Sequence, residues 1–226
     1  MNFEKVLREA TGLLLEGLEL TIGISLLSLL IGFFIGLGAC LMGMSKSKIL
    51  KGISATYVWI IRGTPMIVQA FVVYFGFPQL IQALIAPSFT LTPFTAGVIT
   101  LSLNAGAYLS EIFRGGIQAV DIGQVEAARS LGLSAGKTMV KVVLPQALKI
   151  SIPSLVNQFI ITVKDTSILS VIGLAELVNK AKIYVGATYQ FFATYIFVAI
   201  YYLVIISVLM ILSKFVEKKF NYDKKG

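Results

Sequence analysis

Apolar runs broken by short polar stretches organise this sequence. Residues 20–45 carry no charge, and about 20 apolar residues are enough to cross a membrane. A second stretch, residues 53–84, is interrupted at Arg62-Gly63-Thr64-Pro65. Proline lacks an N–H and its ring crowds the preceding turn, so a kink or break is predicted there. The uncharged run 63–110 is too long for one crossing, and Pro87, Ser88, Thr90, Thr92 and Pro93 divide it. A third span is therefore expected over 92–113. A fourth, over 146–172, is weak by hydropathy because it holds Pro153, Asn157, Gln158, Lys164 and Asp165. The last span, over 186–213, uses the charge-free run that closes the chain before its lysine-rich tail. Residues 3–19 mix charges with Phe3, Val6, Leu7, Leu13, Leu14 and Leu18, which suits an amphipathic helix lying at the interface. Residues 173–183, with Glu176, Lys180 and Lys182, form another amphipathic piece. The fold class expected is all-α, with five transmembrane helices in one domain.

The longest polar stretch, residues 114–145, has a structure of its own. Asp121 can cap a helix start, with Gln124 completing a capping box. Val125, Ala128 and Leu131 then recur on one face. Gly132 is a plausible terminator, since glycine takes the left-handed conformation without steric cost. Ser134 can cap a second short helix that ends before Pro145. Two short helices meeting at Gly132 would make a compact knob outside the bilayer. On the first span, Gly32 and Gly36 are spaced for close helix contact.

Composition agrees with the pattern. The chain is 57% hydrophobic and only 13% charged, against about 25% in soluble domains. One cysteine, Cys40, in an apolar run rules out an intrachain disulfide and reads as a packing residue. With no histidine, a metal centre is not expected. The N-terminus lacks the pattern of a cleaved signal peptide. The net charge of +8 raises nucleic acid as a partner, but its distribution argues against one. With the knob placed inside, thirteen of the 19 Lys and Arg residues lie on that side, including Lys214, Lys218, Lys219, Lys224 and Lys225. The positive-inside rule then puts the N-terminus outside and the C-terminus in the cytoplasm. The basic surplus faces anionic cytoplasmic lipid instead.

The knob also carries a motif. Glu126-Ala127-Ala128 is followed at set spacing by Gly132 and by Val142-Val143-Leu144-Pro145. This resembles the EAA loop of permease subunits in binding-protein-dependent ABC importers. Arg62-Gly63-Thr64-Pro65, the run from Ala107 to Ile117 and Lys164-Asp165-Thr166-Ser167 are similar to the polar amino acid branch of that family. The resemblance covers roughly residues 12–218. It implies a type I importer permease in a bacterial inner or plasma membrane. It implies a second permease copy, a homodimer being favoured over a heterodimer, and two ATPase subunits that carry the ATP and magnesium. It also implies an external binding protein and a polar amino acid substrate. Glu126, Ala127, Ala128, Gly132, Leu144 and Pro145 would form the docking surface for the ATPase. On their own, the same alanines also fit an ordinary capped surface helix.

No P-loop is present. Gly136-Lys137-Thr138 ends like one, but the glycine required five positions before Gly136 is Leu131. No cofactor is therefore expected on this chain, and it is not expected to be an enzyme. On the third span Asn104, Tyr108 and Glu111 share one helix face. They are candidates for a substrate path, with Gln69 on the second span. Glu111 also stands three residues from Arg114 and close to the span end, so its position favours a simple ion pair. Arg62, Lys164 and Asp165 are candidates for a gate or an ion network. Lys164 and Asp165 point about 100° apart on a helix, so each needs another partner, with Glu111, Arg62 or the second permease copy as options. Thr166 and Ser167 can satisfy backbone groups where the helix loosens. Two other classes fit less well. An ion-coupled secondary transporter would usually show internal repeats, and a non-transporting scaffold for an ATPase has no use for the polar row.

Overall fold

A computed structural model of the chain describes residues 2–221. Lys224 and Lys225 lie outside the described residues. Among the described residues there is helix and no strand. Helix α1 runs Phe3–Met44, α2 Lys48–Gly63, α3 Met66–Phe71 and α4 Phe77–Leu84. A π turn, Val72–Gly76, joins α3 to α4. Helix α5 runs Pro93–Gln118, α6 Ile122–Ser130, α7 Ala135–Thr138 and α8 Leu144–Asp165. Helices α9 and α10 span Leu177–Thr188 and Phe191–Asn221.

The N-terminal amphipathic segment and the first span are one helix of 42 residues, not two elements. Its buried stripe passes without a break from Val6, Ala10, Leu14 and Gly17 to Thr21, Ile24 and Ser25. Nothing in that stretch supplies a cap or a proline, so the helix has no reason to stop. At 1.5 Å per residue it is roughly 63 Å long, about twice a hydrocarbon core. Its first turns therefore have to pack on protein. They do so against α9 and α10, through Val6, Ala10, Leu14, Leu177, Ala181, Tyr184, Ala193 and Val198.

Four segments are long and apolar enough to cross a membrane: Phe3–Met44, Met66–Leu84, Ala135–Ile172 and Phe191–Phe215. Helix α5, expected as the third span, is not among them. Its 26 residues give ample length, but it holds Ser, Thr, Asn and Glu. The packing explains this composition. Thirteen of its residues are buried, so it faces other helices more than lipid. The last helix starts at Phe191, later than residue 186, because α9 continues to Thr188 and the chain turns at Tyr189 (φ 55°).

Gly32 and Gly36 form the seam between α1 and α5. A Cβ on Gly36 would lie 2.8 Å from the Gly106 carbonyl oxygen and 2.8 Å from Leu109 Cβ. Cys40 is buried in the same seam with Ala105, Leu109 and Phe113.

Candidate functional site

The second span breaks where the proline predicts, between α2 and α3. Thr64 caps the end of α2, donating its hydroxyl to the Ile60 carbonyl at 2.8 Å. Gln69 reaches back across the break. Its Nε2 donates to the carbonyls of Ile61 (2.7 Å) and Thr64 (3.0 Å), groups the break deprives of helical partners. Its Oε1 accepts from Asn104 Nδ2 at 3.1 Å, which ties the break to α5. Tyr57 on α2 adds a second tie, donating to the Leu103 carbonyl at 2.6 Å. Gln69 and Asn104 are thus brought together by a broken helix that needs its loose carbonyls held.

Tyr108 and Glu111 continue the same face of α5. Glu111 lies between two arginines, 2.6 Å from Arg114 Nη2 and 3.3 Å from Arg62 Nη1. The Arg62 guanidinium also stands 5.3 Å from the centre of the Tyr108 ring, within cation–π range. Glu111 therefore offers little free negative charge, since two cations already share it.

Lys164 and Asp165 do not join this cluster. Glu111 and Arg62, the partners considered for them, pair with each other instead. Among the described residues neither Lys164 nor Asp165 makes an ion pair. They sit where α8 tightens into a 3-10 segment, Thr166–Ile172. Thr166 donates to the Val163 carbonyl at 2.7 Å and Ser167 to that of Lys164 at 2.6 Å, holding the carbonyls at the change of pitch.

The knob consists of α6, α7 and a π turn, Met139–Val143, that leads into α8. Asp121 caps α6 by accepting from the Gly123 amide at 2.6 Å. The capping box with Gln124 does not form, because this tighter contact takes the carboxylate. Gly132 adopts φ 82°, and the Leu133 amide reaches back to the Ala128 carbonyl at 3.1 Å. Arg129 then clips the turn by donating to the Leu133 carbonyl at 2.6 Å. The second short helix does not end before Pro145. It continues as Ala135–Ile172, and the helix widens into the π turn Met139–Val143 just before the proline. Glu126, Ala127, Gly132 and Pro145 are exposed and Leu144 is half-buried, whereas Ala128 turns inward. The apolar stripe of α6 stops short as well, since Leu131 is 81% exposed and Ile122 68%. Leu131 shares a face with Val125 and Ala128 in the sequence, but it stands in the open where the chain turns at Gly132.

One functional-looking group escapes the sequence altogether. Glu176 has no exposed surface. Its carboxylate accepts from the amides of Val178 (3.0 Å) and Asn179 (2.7 Å) and from the Tyr202 hydroxyl (3.3 Å), so it caps α9 from inside. Burial pushes its pKa up, and the two backbone amides pull it back down. The Leu177 amide next to it donates to Thr21 at 3.2 Å, locking α9 to α1.

Known proteins resemble this chain over most of its length. Residues 28–222 match the family described as binding-protein-dependent transport system inner membrane component. The chain is 41% identical over 178 residues to the arginine transport system permease protein ArtQ of Bacillus subtilis, covering 79% of this chain and 78% of that one. It is 39% identical over 181 residues to the glutamine transport system permease protein GlnP of Escherichia coli, covering 80% of each. A crystal structure of an amino acid ABC transporter with histidines superposes with a TM-score of 0.90 at 39% identity, covering 97% of this chain and 99% of that one.

Proposed function

The chain belongs to the family of binding-protein-dependent transport system inner membrane components, and on that premise we infer that it is the membrane-spanning permease of an ATP-driven importer for a polar amino acid. It is a multi-pass protein of a bacterial membrane. Glutamine, glutamate, histidine and arginine are the substrates that suit this reading. Five spans are proposed: α1, the broken run α2–α4, α5, α8 with its 3-10 extension, and α10. Helix α5 counts as a span because it is long enough and its Thr100, Ser102, Asn104 and Ser110 are buried against other helices. The cation bias supports an N-terminus outside and a C-terminus inside.

The exposed knob carries this reading. It runs without interruption into α8, and α8 touches α5 beside the polar row, where Ser151 donates to the Ile112 carbonyl at 3.4 Å. A push on the knob can therefore reach Glu111 through one rigid element and one contact. The push would come from ATPase subunits that bind ATP and magnesium, docked on Glu126, Ala127, Leu131 and Gly132. ATP binding shifts the access state only if the two states bind it with different affinity. A second copy of the permease, favoured as a homodimer, would complete the path, and an external binding protein would deliver the substrate. Along the path, Asn104 and Tyr108 face the substrate and Gln69 lines it through its bond to Asn104, while Arg62, Glu111, Lys164 and Asp165 shape the gate.

Uptake of labelled glutamine or arginine into liposomes tests the proposal. Uptake should require the ATPase subunit and ATP on the knob side. Uptake that persists without the ATPase, driven by an ion gradient, would replace this reading with a secondary transporter.

A further inference from the structure

The amide pair at the helix break has a polarity that its surroundings dictate. Carbonyl oxygens can only accept. The Gln69 atom that meets the carbonyls of Ile61 and Thr64 is therefore its nitrogen. Its oxygen must then face Asn104, and Asn104 must answer with its own nitrogen, at 3.1 Å. Oδ1 of Asn104 is left pointing elsewhere, with no hydrogen-bond partner among the described residues. The buried unpaired side-chain oxygens there belong to Ser28, Ser102 and Thr138. Asn104 Oδ1 is not one of them, so it reaches a surface although the residue is only 8% exposed.

We propose that Gln69 holds Asn104 so that its Oδ1 receives the ammonium group of the transported amino acid. This rests on the importer reading above. An ammonium group is a donor only, with three N–H groups, and it matches a fixed acceptor. A carboxylate would meet the same oxygen as an acceptor facing an acceptor. In a water-poor path a charge-assisted bond of this kind is about twice as strong as a neutral one. The carboxylate end has a cation further along the same face of α5, beside Tyr108, which follows Asn104 by about 6 Å of helix rise. There the Arg62 guanidinium stacks on Tyr108, and its hold on Glu111, at 3.3 Å, is the looser of the two arginine contacts.

The test uses the permease–ATPase complex in nanodiscs without the external binding protein, so that only the permease reads the ligand. Tritiated L-glutamine and L-arginine are the probes, and their Nα-acetyl derivatives are the competitors. In the wild type, acetylation should weaken binding at least about tenfold, the loss expected for a hydrogen bond to a charged group. In Asn104→Leu the amino acid itself should weaken at least about tenfold, and acetylation should then cost little more, because the shared partner is gone. Asn104→Asp loses the donor that meets Gln69 Oε1 but presents an acceptor on both oxygens, so it should keep the acetylation penalty that Asn104→Leu loses. Gln69→Met frees the amide to turn and should shrink the penalty while Asn104 is still present. An equal acetylation penalty in the wild type and Asn104→Leu overturns the inference, as does undetectable binding of both amino acids by the wild type. Neither result touches the importer reading, which fails separately if liposome uptake needs no ATP.

Discussion

Glycine serves opposite ends in the α1 seam and in the exposed knob. In the seam it removes a side chain so that backbones can meet. A Cβ on Gly17 would stand 2.8 Å from Leu177 Cα, and one on Gly36 would meet α5 just as closely. In the knob nothing lies within 4 Å of a Cβ added to Gly132 or Gly136. There the backbone of Gly132 matters, because its φ of 82° turns α6 toward α7. The seam is filled by the chain's own residues, whereas the knob leaves Leu131 and Ile122 in the open. A contact surface that is complete within one chain holds helices in place. One that is incomplete is available to another subunit.

Substitutions can break this contrast, and the largest effect belongs to the seam. Gly36→Val should destabilise the purified protein by about 3 kcal/mol, the upper range for overpacking. Thermal unfolding in detergent would read it; an unchanged midpoint would show that α1 and α5 can part freely. Gly132→Ala should cost about 1–2 kcal/mol, the penalty for a side chain in the left-handed region, while Gly132→Asn should cost less. Gly136→Ala should be neutral or stabilise by up to about 1 kcal/mol through helix propensity. Leu131→Asp should change stability least, within about 0.5 kcal/mol as for an exposed site. It should nevertheless uncouple ATPase activity from uptake, and Glu126→Lys should do the same. Full coupling in both variants would show that the knob is not the docking surface.

The site was only partly legible beforehand. Pro65 announced the break in the second span, since a missing N–H is a local property. That Gln69 mends the break, and that Asn104 holds Gln69 from α5, depended on which helix lies beside it. Glu111 had two readings from spacing alone; the structure gives it both Arg114 and Arg62. Lys164 and Asp165 looked like members of the same network and are separate from it, because sequence adjacency says nothing about which helix faces them. Ala128 appeared suited to a docking surface by its small size, and the same small size lets it turn inward.

By itself the sequence determined that this protein is helical, where its apolar runs lie, that its cations favour one side and that its knob begins at Asp121 and turns at Gly132. These follow from local rules: hydropathy, charge, caps and the conformational freedom of glycine. Only the tertiary structure decided that α1 is a single long helix, that the polar α5 belongs in the interior and that Glu176 is buried as a cap. Each depends on the surfaces of neighbouring helices, which supply shelter or hydrogen-bond partners that no local pattern records.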